Sequence, residues 1–153
     1  MAMLAPVAPV AGLDNSLSTK IEISLSVKDL PDRDKLSKSD GFVVVDLKEG
    51  GGSYSEIGRT ETVFDSHHPQ FTTSFNLTFK FETTQYLRFR VFDNDDKKSQ
   101  DLSKHQFVGQ CECTIGELVN ATGMSLSRPV VGKNGDAPRN KKSGVRTSVL
   151  VRA

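Results

Sequence analysis

The sequence predicts an all-β fold, an eight-stranded antiparallel β-sandwich with one short helix. From residue 20 onward, apolar and polar residues alternate with a period of two, as in strands with one buried face. Connections rich in Gly, Pro, Asn and Asp separate these alternating runs. The chain has 153 residues, 36% of them hydrophobic, which suffices for one domain with its own core.

The strand pattern is found in eight runs. They cover residues 20–30, 42–48, 56–64, 71–81, 86–93, 107–115, 125–131 and 144–152. In the fourth run, Phe81 is expected on the core face together with Phe71 and Phe75. Pro129 indicates that the seventh run is an edge strand, because proline cannot donate to a ladder. The helix is expected at residues 115–121, "IGELVNA".

The N-terminal segment differs in composition from the rest of the chain. Residues 1–17 have no basic region, and proline and glycine interrupt them, which predicts a flexible leader rather than a signal peptide. No run approaches the roughly 18 apolar residues of a membrane span. We therefore expect a soluble, cytoplasmic domain at residues 18–153. The net charge of +1 gives no global field that would favour nucleic acid.

The two cysteines, Cys111 and Cys113, lie two residues apart in the sixth run, so both side chains are expected on one face. This spacing along one strand is too short for an unstrained disulfide. A metal site would need further Cys or His at ligand spacing, and the sequence offers none. The pattern favours small core residues in a reducing compartment.

Alternation also predicts which connections lie together. If consecutive strands are antiparallel, every second connection emerges at the same end of the sandwich. The first, third, fifth and seventh connections then share one end, which we name the loop end; they are residues 31–40, 65–70, 93–106 and 133–143. The second and fourth connections, residues 49–55 and 82–85, are expected as simple turns at the opposite end.

Acidic residues are concentrated in the connections of the loop end. Asp93 continues the core-facing register of its strand, so its carboxylate is expected to point into the mouth of the sandwich, where an isolated charge is costly. Asp95 and Asp101 follow in the same connection, and Asp34 and Asp40 lie in the first. Calcium suits such a set, because it accepts oxygen ligands from separate loops in irregular geometry. The alternative is that these aspartates are solvated and cap their own turns.

Four segments of the chain resemble the first C2 domain of the copines. They are "LPDRDKLSKSDGFVVV", "GGGSYSEIGRTETV", "TFKFETTQYLRFRVFDND" and "FVGQCECTIGELV", and the resemblance covers roughly residues 18–152. It implies a C2-type Greek-key sandwich that binds calcium at one end and then docks on phospholipid. It also implies a longer protein, because copines usually carry two such domains followed by a von Willebrand A-like domain.

The resemblance assigns calcium ligands residue by residue. It places carboxylate ligands at Asp34, Asp40, Asp93 and Asp95. The backbone carbonyls of Arg33 and Asn94 are expected as further oxygen donors.

Two departures from the family pattern concern the same connections. Gly41 stands where a proline usually follows the second aspartate, which predicts a looser loop. Gln106 stands where calcium-binding members commonly have aspartate, which lowers the charge of a second calcium position. Asp101, five residues earlier, is the expected replacement.

Basic and apolar residues of the loop end predict contact with an anionic membrane. The basic candidates are Lys35, Lys38, Lys97, Lys98 and Lys104, each worth about 1 kcal/mol near an anionic leaflet. Leu36 and Leu102 are the apolar tips expected to insert. The predicted function is calcium-dependent recruitment of a copine-like protein to anionic phospholipid membranes, from the cytoplasm and peripherally, with other proteins as further partners of the longer chain.

The sequence also allows other interpretations. The first is a calcium-independent protein-interaction module. An enzyme is not expected, because a nucleophile elbow, a Gly-rich phosphate loop and a paired acid and base are missing from the sequence. Two interpretations are open for Arg88, Arg90 and Lys80. They form either a basic strip that binds phosphoinositides or ordinary polar positions of the strands. His105 is expected in an exposed loop.

Overall fold

The computed structural model describes residues 18–32 and 38–153. Within them, the chain forms two four-stranded antiparallel sheets and one α-helix, which confirms the predicted fold class. The elements are β1 Ser18–Lys28, β2 Gly41–Glu49, β3 Ser55–Arg59, β4 Gln70–Lys80, β5 Gln85–Asp93, β6 Gln106–Thr114, α1 Ile115–Asn120, β7 Ser125–Pro129 and β8 Ser148–Arg152. The strand orders are β4-β1-β8-β7 in the first sheet and β3-β2-β5-β6 in the second.

The main core lies between the two sheets and follows the alternation in the sequence. Its buried members include Ile23 and Val27 of the first sheet and Phe89 of the second. Cys111 and Cys113 belong to this core and are free thiols, as predicted. Burial raises the pKa of the Cys111 thiol to about 12 and that of Cys113 to about 11, so neither is a reactive thiolate at neutral pH.

Three predicted strand details are wrong. The third strand ends at Arg59 rather than at residue 64, because the Val43 N–H donates to the Thr60 hydroxyl instead of a backbone carbonyl, which interrupts the ladder with β2. The last strand begins at Ser148 rather than at residue 144. Phe81 lies beyond the end of β4 and is 57% exposed, so it is not a core residue.

A second apolar cluster covers the outer face of the second sheet near the loop end. Its buried members are Phe42, Val44 and Phe92, and Leu102 and Phe107 pack against them. We name these five residues the outer cluster. The Phe42 and Phe92 rings stack with their centroids 5.5 Å apart. The cluster forms because the fifth connection folds back over this face of the sheet, so β2 is buried on both faces.

The connections meet as the alternation predicted. At the loop end, the Leu30 N–H donates to His67 O, and the Asn94 N–H donates to Asp40 O. The Asn140 side chain of the seventh connection donates to Leu30 O at 3.1 Å. At the opposite end, the Gly50 N–H donates to Thr84 O. The first, third, fifth and seventh connections therefore share one end, and the second and fourth share the other.

The helix α1 forms where the sequence predicted it, over Ile115–Asn120. Thr114 and Glu117 make a capping box, in which the Thr114 hydroxyl accepts the Glu117 N–H and the Glu117 carboxylate accepts the Thr114 N–H. β7 is an edge strand, as Pro129 indicated. Among the described residues, no helix is long and apolar enough to cross a membrane.

Candidate metal site at the loop end

Asp93 is the last residue of β5 and its side chain is buried, with 2% exposed. The register of the second sheet pairs Asp93 with Gly41, the first residue of β2. The carboxylate therefore reaches the residue before β2: Asp93 Oδ1 accepts the Asp40 N–H at 2.9 Å. A side chain of the fifth connection is thereby bonded to the backbone of the first.

Asp40 is likewise buried, and its carboxylate is held by the third connection. Asp40 Oδ1 accepts the Asp65 N–H at 2.7 Å, and Asp65 Oδ1 accepts the Lys38 N–H at 3.3 Å. Asp65 adopts a left-handed backbone conformation, with a positive φ of 53°. The sequence reasoning missed Asp65, although it is the acidic residue of a connection predicted at this end.

Gly41, which was expected to loosen the first connection, is itself held by hydrogen bonds. Its N–H donates to Val63 O, and its C=O accepts the Val63 N–H. A Cβ at this position would lie 2.8 Å from Leu30 Cδ1. A proline would lose the bond to Val63 and collide with Leu30, so glycine lets the strand start close to the third connection.

The fifth connection is a series of turns closed by side chains on nearby amides. Asn94 Oδ1 accepts the Asp96 N–H, and Asp96 Oδ1 accepts the Lys98 N–H, both at 3.1 Å. Asp101 is exposed and caps the short 3-10 helix Leu102–Lys104, accepting the N–H and hydroxyl of Ser103 on Oδ1. These hydrogen bonds lower the pKa of the Asp101 carboxyl. One of its oxygens is thus engaged in building the loop.

His105 is buried, so the expectation of an exposed loop histidine is wrong. Its ring packs edge-on against Phe42, with the centroids 5.3 Å apart. The fifth connection wraps around the ring, which bonds to the backbone of Asp95 and Ser99. The period-two pattern did not predict the burial of His105, because His105 lies in a loop that folds over a sheet face.

The remaining site residues lie at the rim. Asp95 is exposed. Gln106 is exposed and stands opposite Asp93 in the register of β5 and β6, so a carboxamide lies where a further carboxylate would increase the charge. Of the predicted site residues, four lie outside the described ones: Arg33, Asp34, Lys35 and Leu36.

The basic and apolar rim residues are placed only partly as expected. Lys38, Lys97, Lys98 and Lys104 are exposed. Leu102 packs partly buried in the outer cluster, so it is not the freely exposed tip that was expected. The sequence reasoning missed Phe64 in this role, because it assigned Phe64 to a strand. Phe64 is 51% exposed in the loop that follows β3, and Lys97 Nζ lies 4.9 Å from its ring centroid.

A comparison with family models identifies the class of this sandwich. The model that matches is described as "C2 domain", and it covers residues 20–130, more than half of the chain. The chain belongs to the C2 domain family.

Curated relatives of this C2 domain include Protein BONZAI 2 of Arabidopsis thaliana, which is 35% identical over 133 residues. That alignment covers 83% of this chain and 23% of the relative. Nicotinic receptor-associated protein 1 of Caenorhabditis briggsae is 33% identical over 170 residues, with 99% of this chain and 27% of the relative covered. The C2 domain thus spans about a quarter of the length of the curated relatives it matches.

Solved structures support the fold. The C2A domain of a plant Extended Synaptotagmin 1 superposes with a TM-score of 0.61 at 17% identity, covering 87% of this chain and 92% of that one. A structure titled BON1-C2B superposes with a TM-score of 0.55 at 15% identity, covering 88% and 87%. At these identities the likeness concerns the fold alone.

The donor set of this C2 domain fits calcium in its chemistry. The described acidic residues of the first and fifth connections offer oxygen ligands, the kind that calcium takes. Asp40 and Asp93 are held side by side by a direct bond and are both buried. Among the described residues, no group of three or more His, Cys, Asp or Glu is arranged as a complete metal site. The predicted ligand Asp34 lies outside the described residues.

The outer face of the second sheet does not carry the basic strip considered from the sequence. Arg88 Nε and Arg90 Nε both donate to Asp46 Oδ2, at 2.8 Å and 2.7 Å. Lys80 is the last residue of β4 in the first sheet, and its Nζ pairs with Glu49 of β2 at 3.0 Å. The two arginines are therefore held by a buried aspartate, and the lysine is not part of their row.

Proposed function

We propose that this C2 domain is a calcium-dependent phospholipid-binding module that recruits a copine-like protein to anionic membranes. One observation carries the proposal. Asp40 and Asp93, which are 53 positions apart, are both buried at the mouth of one end of the sandwich, joined by the bond from the Asp40 N–H to Asp93 Oδ1. Burying carboxylates costs free energy, and a bound calcium ion would offset part of that cost.

The residues proposed to hold calcium come from two connections. The carboxylates are those of Asp34, Asp40, Asp93 and Asp95, and Asp101 is a further proposed carboxylate ligand. The backbone carbonyls of Arg33 and Asn94 are proposed as additional oxygen donors. Bound calcium would supply positive charge and open coordination positions that suit phosphate oxygens.

The described hydrogen bonds hold Asp40, Asp93 and Asn94 in place. Asp65 orients the Asp40 carboxylate, and Asp93 accepts the Asp40 N–H. The Asn94 N–H donates to Asp40 O, which joins the first and fifth connections a second time. Little ordering of these three residues would then remain to be done when a ligand binds, which favours affinity.

Lysines around the rim are proposed to contact anionic head groups. Lys97 and Lys98 follow the acidic residues directly in the fifth connection, Lys104 lies near the end of that connection, and Lys38 lies in the first. Lys35 is proposed in the same role. Each contributes about 1 kcal/mol near an anionic leaflet, which suits reversible rather than permanent attachment.

The apolar contact with the membrane is proposed at Phe64, alongside Leu36 and the exposed part of Leu102. Phe64 is a half-exposed aromatic ring next to the proposed site, and Lys97 lies over it. A ring that enters the head-group region while its neighbouring ammonium contacts phosphate satisfies both groups.

The copine assignment and the location are part of the proposal. Sequence similarity to BONZAI and nicotinic receptor-associated proteins supports a copine-type C2 domain within a longer chain. We propose that this longer protein is cytoplasmic, associates peripherally with membranes and meets other proteins through its remaining parts.

Co-sedimentation with vesicles tests the proposal. Wild-type protein should sediment with phosphatidylserine-containing vesicles in calcium and stay in the supernatant in chelator. Asp93→Asn should lose the calcium-dependent fraction, because it removes a ligand charge but keeps the oxygen that accepts the Asp40 N–H. Glu82→Gln is the matched control, since Glu82 is an exposed acid at the opposite end. Equal wild-type sedimentation in calcium and chelator contradicts the proposal.

A calcium-independent protein-interaction module is the second candidate. It is favoured by the position of Gln106 opposite Asp93 and by the use of one Asp101 oxygen as a cap. Under this alternative the ordered connections are a rigid surface for a protein partner. Isothermal titration calorimetry separates the two, because such a module gives no heat on calcium addition.

A further inference from the structure

His105 holds the fifth connection together from inside. The side chain is 9% exposed and lies between the outer cluster and the loop that carries Asp95. Its Nδ1 accepts the Asp95 N–H at 3.1 Å, and its Nε2 lies 2.9 Å from Ser99 O. One ring therefore bonds to the backbone at both ends of the segment 95–99.

These two bonds define the tautomer of the ring. A backbone N–H can only donate, so Nδ1 must be the bare, accepting nitrogen. A carbonyl oxygen can only accept, so Nε2 must carry the hydrogen. The ring is thus a neutral donor and acceptor at once, which phenylalanine, lysine or leucine could not be in its place.

The bond at Ser99 extends into the rest of the turn. The Ser99 N–H donates to Asp96 O, and Ser99 Oγ accepts the Asp101 N–H at 3.1 Å. Fixing Ser99 therefore also fixes the approach to the cap at Asp101. The ring itself is kept in place by Phe42, which belongs to the outer cluster.

We propose that His105 is the positioning residue of the metal site: its ring fixes the backbone from which Asp95 and its neighbours bind calcium. This inference rests on the proposed function. His105 itself is not a ligand here, because both ring nitrogens are engaged with the backbone. Residues that orient metal ligands typically change metal affinity about 10–100-fold when they are replaced.

Calcium titration calorimetry of three variants tests this role, with the melting temperature in chelator measured beside it. His105→Phe keeps a ring against Phe42 but loses both bonds, so its calcium dissociation constant should rise about 10–100-fold. His105→Asn keeps an acceptor for the Asp95 N–H, so its affinity should lie closer to wild type. His68→Phe is the matched control: His68 Nδ1 accepts the Asp29 N–H at 3.1 Å in the third connection. This variant should bind calcium within about twofold of wild type.

The outcomes separate this inference from the proposed function. If wild type binds calcium and His105→Phe binds equally well, or if His105→Asn is no better than His105→Phe, the positioning role is overturned alone. If wild type gives no calcium heat, the proposed function and the positioning role both fail.

Nitrogen NMR of wild-type protein adds a readout that needs no folded variant. His105 should show the neutral tautomer with hydrogen on Nε2, and the Asp95 amide should be protected from exchange. A tautomer with hydrogen on Nδ1 overturns the inference.

Discussion

The second sheet buries aspartates in two regions, and their surroundings differ. In the middle of its outer face, Asp46 is 1% exposed and accepts hydrogen bonds from Arg88 and Arg90. At the loop end, the carboxylates of Asp93 and Asp40 accept the backbone N–H groups of Asp40 and Asp65. A guanidinium brings a full positive charge to its partner, whereas an amide brings only a dipole.

This difference separates a structural acid from a proposed functional one. The Asp46 arrangement joins β2 to β5 with charges that the chain itself supplies. The amide bonds at the loop end order the backbone of three connections around the proposed calcium ligands Asp40 and Asp93. We therefore expect the first region to be indifferent to ions in solution and the second to respond to calcium.

The largest stability effect is expected at Asp46. Asp46→Asn should lower the free energy of unfolding by about 3 kcal/mol, because it leaves two guanidinium groups beside a neutral side chain in a nearly buried site. The arginine side chains are about a quarter exposed, which keeps the loss at the lower end for a buried pair. Urea denaturation in calcium and in chelator measures it.

The control for this variant is Asp136→Asn, an exposed aspartate in the seventh connection. It should change the unfolding free energy by less than about 0.5 kcal/mol. If the loss of unfolding free energy in Asp46→Asn differed between calcium and chelator, the proposed difference between the two regions would be contradicted.

Much of the fold could be predicted from the sequence, because alternation reports which face of each strand is buried. The register of Asp93 and the convergence of the odd-numbered connections follow from that pattern. Period-two alternation does not reveal the outer cluster, and for this reason the positions of Leu102 and His105 were predicted wrongly. A loop that folds back over a sheet face leaves no periodic signal.

The sequence predicted where the candidate residues lie better than it predicted how they are held in place. Asp93 was expected at the mouth because of its parity, and the structure buries it there. Asp65 could not be found in this way, because it holds the Asp40 carboxylate through its backbone N–H, a group that nearly every residue type carries. Phe64 was assigned to a strand that ends five residues earlier, at Arg59.

Phe64→Ala should weaken binding to calcium-loaded anionic vesicles about tenfold, which corresponds to roughly 1.4 kcal/mol for a partly inserted ring. The calcium dissociation constant should not change, since Phe64 is not a proposed ligand. Vesicle titration with fluorescence detection measures the first quantity and calorimetry the second.

Phe81→Ala is the matched control for this variant. Phe81 is exposed to a similar degree, 57% against 51%, but it lies at the opposite end. Equal losses in the two variants would mean that the loop end has no special role in membrane contact.

A smaller effect is expected at Glu61, which joins the loop after β3 to β4. Partial burial would raise the pKa of its carboxyl, but hydrogen bonds from the N–H groups and hydroxyls of Thr72 and Thr73 outweigh it and lower the pKa to about 2. Glu61→Gln should cost about 1 kcal/mol at neutral pH, after allowance for solvent screening.

The contribution of Glu61 to stability should depend on pH. A carboxyl whose pKa is lowered on folding stabilises the protein fully above its ordinary value of 4.5 and loses this contribution as the pH falls towards 2. The gap between wild type and Glu61→Gln should therefore shrink as the pH falls from 5 to 2, and thermal unfolding across that range measures it. A gap that widens on acidification would contradict the assignment.

The most direct test of the central claim is the melting temperature of the wild-type domain in calcium and in chelator, beside Asp93→Asn. With calcium at about 100 times its dissociation constant, binding adds roughly 2.7 kcal/mol, or about 5–10 °C for a domain of this size. We expect that rise in wild type and its loss in Asp93→Asn, whose retained oxygen still accepts the Asp40 N–H. Identical wild-type melting curves in calcium and chelator would contradict the account.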